Sequence, residues 1–162
     1  MNVAVIADTH LPRGTRRIPE ACVERLRTAD VILHAGDVTA ASVLGELETL
    51  GPPVHAVHGN MDDAMLQRRL PATHVVEVGG LKIGMTHDAG PRAGREERLV
   101  RRFPGCAAVV YGHTHEPQVA RVRETWILNP GSPTERRRAP SHTMLVLEIE
   151  HGALRPELIE LS

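Results

Sequence analysis

Aromatic residues are nearly missing from this chain, which has one Trp, one Tyr and one Phe in 162 residues. Its strands must rely on Val, Ile, Leu and Thr, and the shortage argues against base-stacking platforms for single-stranded nucleic acid. Cysteine is as scarce: Cys22 and Cys106 show no framework spacing, which fits a reducing compartment. No apolar run approaches the ~20 residues of a membrane span. The apolar start at residues 2–7 runs straight into Asp8 and His10, unlike a signal peptide. A cytoplasmic protein with no membrane partner is the expectation. Net charge is also small, at -1, so no global field steers the chain toward nucleic acid.

What is present fits one globular domain spanning residues 1–162, with 41% apolar and 24% charged residues. Arginine far outnumbers lysine and clusters at Arg16-Arg17, Arg101-Arg102 and Arg136-Arg137-Arg138. Its planar fork suits phosphate, although a solvated surface is the plainer reading of each cluster. The unusual number is ten histidines, and their placement is uneven.

Residues 2–7, Val31–His34 and Val54–Val57 are short apolar runs of strand length, with helical patterns at Pro19–Thr28 and Ala40–Leu50 between them. This strand–helix alternation predicts a mostly parallel sheet. The texture then changes. Thr73–Val78 and Leu81–Thr86 flank Gly79-Gly80, a hairpin signal. Gly94–Phe103, dense in Arg and Glu, reads as an exposed helix, and Ala107–Tyr111 as another strand. Gln118–Val122 with Thr125–Leu128, and Thr143–Ile149 with Ala153–Ile159, read as two further hairpins. An α/β half followed by a β-rich half suggests two sheets packed face to face, with helices outside.

Polar donors stand where the apolar strands stop. Asp8 and His10 follow the first, Asp37 the second and Asn60 the third; His87 follows 81–86, and His113 and His115 follow 107–111. Carboxyl ends of strands face the functional crevice of open α/β sheets, so five segments deliver these groups to one edge. Four imidazoles, two carboxylates and an amide oxygen suit Mn, Fe, Zn, Ni or Co rather than Ca or Mg alone. Seven donors exceed the ~3 protein ligands of one open catalytic metal. With one carboxylate bridging, they fit two ions ~3.5–4 Å apart. In Asp8-x-His10 and His113-x-His115 the spacing is expected to aim two donors the same way from extended backbone. Gly36, Gly59 and Gly112 precede donors, where glycine permits unusual angles and close approach of a substrate.

In this order, Asp8-Thr9-His10, Gly36-Asp37, Gly59-Asn60, His87, Gly112-His113-Thr114-His115 and Asn129-Pro130-Gly131-Ser132 resemble the motifs of calcineurin-like metallophosphoesterases. The likeness is greatest to small single-domain bacterial and archaeal phosphodiesterases, and runs from residue 2 to about residue 150. It implies an α/β fold: a four-layer αββα sandwich of two mixed sheets with helices outside. It implies two divalent ions, with manganese first and nickel, iron, zinc or cobalt as alternatives. One ion would take Asp8, His10 and His115, with Asp37 bridging; the other Asp37, Asn60, His87 and His113. Asn60, His87 and His113 would be catalytic. Two positions depart from the pattern. Many relatives carry a histidine where this chain has Met61, and glycine where it has Asp88. Asp88 could orient a ligand, but reads slightly better as a plain loop residue.

The expected reaction is in-line attack on phosphorus by a hydroxide bridging the ions, on a small phosphodiester or nucleotide-like substrate. Without a histidine at 61, the leaving group is protonated by solvent, by His58 or not at all, which predicts a preference for aryl oxides. His34 reads as a hydrogen-bonded core residue, His55 and His74 as strand residues, and His142 and His151 as surface. Arg92, Arg95 and the 136–138 run are groove-lining candidates, with solvated loop the plainer reading. The alternative function is a non-catalytic interaction scaffold on the same fold, with a structural metal site. Homo-oligomerisation is left open, and no specific nucleic-acid partner is evident.

Overall fold

The computed structural model describes residues 1–161. In chain order its elements are β1 (Asn2–Ile6), α1 (Glu20–Thr28), β2 (Val31–His34), α2 (Ala41–Glu48), β3 (Val54–Ala56), α3 (Ala64–Arg69), β4 (Thr73–Val78), β5 (Leu81–Thr86), α4 (Arg95–Arg102), β6 (Ala108–Val110), β7 (Gln118–Val122), β8 (Thr125–Asn129), β9 (Thr143–Glu150) and β10 (Ala153–Glu160). They form two five-stranded mixed sheets, ordered β10-β9-β1-β2-β3 and β4-β5-β6-β8-β7.

Continuous apolar runs become strands covered on both faces. Val3 and Val5 of β1 face the second sheet, packing in one cluster with Ile83, Met85, Val110 and Leu128. Ala4 and Ile6, on the opposite face, pack with Cys22 and Leu26 of α1 and Leu47 of α2. β6 repeats the pattern: Val110 faces the sheet interface, while Val109 packs with Leu99 and Phe103 at α4. Each Val, Leu, Ile or Met side chain fully buried among them contributes about 1.5–3 kcal/mol. The result is four layers, with α1 and α2 outside one sheet and α4 outside the other, the expected αββα sandwich.

The hairpin β4–β5 turns on Gly79 and Gly80, both at positive φ (57° and 79°), as a two-residue primed turn requires. The two textures of the sequence do not map onto the two sheets. The C-terminal hairpin returns to the first sheet, where β9 runs antiparallel to β1 and occupies the edge that the β1–β2–β3 crossovers leave open. β10 is then an edge strand, where Pro156, lacking an N–H, is tolerated. One element had no counterpart in the sequence reading. α3 is a six-residue helix with Leu66 buried, capped by the Asp63 carboxylate, which accepts from the Leu66 N–H at 2.8 Å. The helix expected at Gly94–Phe103 forms as α4 and is less exposed than its composition suggests, because Leu99 is fully buried.

Candidate metal centre

All seven donors lie just past the strand ends predicted for them, and the two sheets bring them together. Two groups result. Asp8, His10 and His115 offer ligand atoms that all lie within 4.8 Å of one another, as do Asp8, Asp37 and His87. His10 Nε2 is 3.7 Å from Asp8 Oδ1, and His115 Nε2 is 3.5 Å from the same oxygen. Asp37 Oδ2 lies between the groups, 3.4 Å from His10 Nε2 and 3.2 Å from His87 Nε2. Asn60 Oδ1 joins the second side, 3.1 Å from His87 Nε2 and 3.2 Å from His113 Nδ1.

The backbone delivers these donors differently from the sequence expectation. Asp8 (φ 55°), His10 (47°), Asp37 (57°), His113 (73°) and His115 (62°) are all left-handed. The pairs at 8 and 10, and at 113 and 115, converge through tight turns, not through the alternation of extended chain. Only nine non-glycine residues have positive φ among the described residues, and five are candidate donors. Each costs on the order of 1 kcal/mol or more, and such strain concentrates where geometry serves function. Two glycines have a related reason. A Cβ at Gly36, itself at φ 97°, would strike the His87 ring, and one at Gly59 would strike the Asp37 carboxylate. They are needed for the approach of donor side chains, where the sequence suggested the approach of a substrate.

A second tier of hydrogen bonds fixes the donors. His87 Nδ1–H donates to the Ala35 carbonyl at 2.8 Å and His115 Nδ1–H to the Glu135 carbonyl at 2.5 Å, turning each Nε2 toward the carboxylates. Asp8 Oδ2 accepts from the His113 N–H and Asp37 Oδ1 from the Met61 N–H. Asp62, missed in the sequence reading, is 5% exposed, and its carboxylate accepts N–H bonds from Asp37, Thr39 and Gly59, tying two donor loops together. It stands in a run of turn residues, so its only early signal was proximity to Asn60. The 129–132 stretch gains a role as well. Asn129 donates to the Gly112 carbonyl and Thr114 Oγ1, and Ser132 Oγ donates to the Asp8 carbonyl at 2.8 Å.

Electrostatics follow from burial against charge. Burial lowers the His87 pKa, but the Asp37 hydrogen bond and the charges of Asp8 and Asp37 outweigh it and raise the group. Burial would raise Asp37, but His87 and the Met61 N–H hold it below the usual carboxylate value. His115 is lowered, chiefly by burial. A cation fits this cluster: buried Asp8 Oδ1, His10 Nε2 and His115 Nε2 have no hydrogen-bond partner, an arrangement that is costly unless a positive ion satisfies all three.

His34 is a core residue, as expected. Its Nδ1 accepts from the Gly36 N–H at 3.2 Å, and its Nε2 faces Thr9 Oγ1 at 3.1 Å. His55 and His74 stack on each other, 5.8 Å between centroids. Asp88 is an exposed loop residue whose Oδ1 caps the Gly90 N–H at 2.8 Å. Met61 is 58% exposed at the rim. Arg95 is not free, since it lies over the Tyr111 ring and donates to the Gly90 carbonyl, but with Arg92 it lines a small recess of about 140 Å³ beside Thr114 that includes none of the seven candidate donors. Arg136 is spent on the Ala139 carbonyl. A recess of about 280 Å³ runs from Asn60 and His87 to His58, Gln67 and Arg102. A larger one, about 420 Å³, lies between α1 and α2 and touches no candidate donor.

The model of the calcineurin-like phosphoesterase superfamily domain matches residues 1–152. A protein of Methanothermobacter thermautotrophicus named "Probable metallophosphoesterase" is 37% identical over 161 residues, covering 98% of this chain and 92% of that one. A like-named protein of Methanocaldococcus jannaschii is also 37% identical, covering 100% of this chain and 82% of its own. Among solved structures, zinc-complexed Vps29 from Entamoeba histolytica is similar, with 27% identity, a TM-score of 0.77 and full coverage of both chains. The chain therefore belongs to the calcineurin-like phosphoesterase superfamily.

Proposed function

We propose that the chain is a dinuclear metal-dependent phosphoesterase acting on phosphodiesters. The observation that carries this reading is the position of Asp37 Oδ2, equidistant within 0.2 Å from His10 and His87 at 3.4 and 3.2 Å. One carboxylate oxygen thus faces both donor groups, as a bridging ligand must. Asp8, His10 and His115 would hold one ion, Asn60, His87 and His113 the other, with Asp37 shared. When bound, two such ions supply an activated water nucleophile and neutralise phosphoryl charge. Manganese is our first choice for this mixed N/O set. Two unpaired thiols suit residence in the reducing cytoplasm.

The chain's own residues then set the substrate. His113 and Asn60 stand on the open side, next to the recess, and would orient the phosphoryl oxygens. Met61 has no proton to give a leaving group, and His58 is the imidazole outside the donor set that lines the recess. Stable leaving groups such as aryl oxides are therefore favoured, and a small nucleotide-like diester is the proposed substrate class.

The test is metal stripping followed by assay of a bis(aryl) phosphodiester and an aryl phosphomonoester with Mn, Ni, Zn or Mg, beside His113→Ala. Turnover restored by a transition metal, lost in the variant and greater on the diester is the expected result. Tight metal binding without turnover on either substrate would favour a second reading, a non-catalytic interaction scaffold. The likeness to Vps29 supports that alternative, and the clustering of Asp8, His10, Asp37, His87 and His115 argues against it.

A further inference from the structure

Glu135 meets the donor cluster twice. Its carbonyl orients His115, and its N–H donates to Ser132 Oγ at 2.8 Å, the same hydroxyl that donates to the Asp8 carbonyl. Its backbone is thereby tied to the end of β1. Its carboxylate is 18% exposed, and Oε2 is buried without a hydrogen-bond partner. That oxygen lies 3.8 Å from His10 Nε2, itself buried and unpartnered. The separation matches those from the same nitrogen to Asp8 (3.7 Å) and Asp37 (3.4 Å). Its Oε1 meets Arg13 Nη1 at 3.3 Å, and its Oε2 meets the buried Arg16 Nη1 at 3.6 Å. Only the Arg13 contact, to Oε1, is a hydrogen bond. Each oxygen meets an arginine, but Oε2 stands between Arg16 Nη1 at 3.6 Å and His10 Nε2 at 3.8 Å without a hydrogen bond to either, so it is shared between the ion pair and the imidazole.

We infer that Glu135 is a further carboxylate ligand of the ion held by Asp8, His10 and His115, and that Arg13 and Arg16 compete for it from outside. This rests on the metal reading of the site. The two ions then become unequal. The one beside Glu135 gains a hard anionic oxygen, while the one beside Asn60 has a neutral amide. The first is held more tightly and prefers harder ions such as Mn or Fe; the second exchanges readily.

Co(II) titration of the metal-stripped protein, by calorimetry and visible absorbance, tests this against Glu135→Gln and the double variant Arg13→Ala/Arg16→Ala. The wild type should show two steps. Glu135→Gln should weaken the tighter one about 10- to 100-fold, change its visible band and leave the weaker step alone. The arginine double variant should move the tighter step the opposite way, a result that loss of folding would not imitate. Equal tight-step affinity within about twofold and the same spectrum in wild type and Glu135→Gln would overturn the assignment, leaving Glu135 an ion-pair partner only. Absence of any Co(II) step in the wild type would instead sink the metal reading itself.

Discussion

His34 shows what burial does to an imidazole beside the donor loops. Fully buried, and with both ring nitrogens facing partners, it has no place for a second proton. Burial, helped by His87, lowers its pKa from 6.5 to about 3. An unfolded chain takes up that proton near 6.5, so protons favour unfolding below this value. Stability should therefore fall as pH drops from 6.5 toward about 3, by about 1.4 kcal/mol per pH unit from this group. Urea unfolding of the metal-stripped protein between pH 7 and 5 should show a steeper decline for wild type than for His34→Gln. Parallel declines would discard the argument. Cys22 offers a second check: burial pushes its thiol up to about 12. An aromatic disulfide reagent should leave it unmodified in the native protein and label it on unfolding. At this scale the candidate donors stood out because a polar residue at the end of an apolar strand is conspicuous. Asp62 and Glu135 were not, because their partners are reached only after the loops fold together.

Adjacent aspartates separate the roles of the elements. Asp63 caps α3, so Asp63→Ala should cost about 1 kcal/mol. Asp62 holds three N–H groups across two donor loops, so Asp62→Ala should cost about 3 kcal/mol or more. Urea unfolding of the two variants measures the difference, and similar losses would mean that the loops do not depend on Asp62. On the opposite face, Leu99→Ala in α4 should cost about 2–5 kcal/mol, as expected for a fully buried leucine. The hairpin β4–β5 was legible to the residue, because Gly79-Gly80 admits few alternatives. α3 was not, because six residues hold too little periodicity to stand out from a loop.

For the whole molecule, a ligand that binds only the folded state stabilises it. A metal at 100 times its dissociation constant adds about 2.7 kcal/mol, a rise in Tm of about 5–10 °C for a chain of this size. Scanning calorimetry with and without Mn should show it, and no shift with any transition metal would remove the metal from the account. The four layers were foreseeable from the order of strands and helices. The return of β9 to β1 was not: Asn2 pairs with Glu148, and no local pattern announces a partner so distant in the chain.

The left-handed donors have an evolutionary consequence. At residues 8, 10, 37, 113 and 115, glycine would relieve the backbone at a stroke. A mutant library selected for thermal tolerance alone, without metal, should drift toward glycine at these positions and lose the centre while keeping the fold. On the proposed reading of the centre, these positions are where its chemistry is most easily erased, and a descendant freed from that chemistry would show it there first.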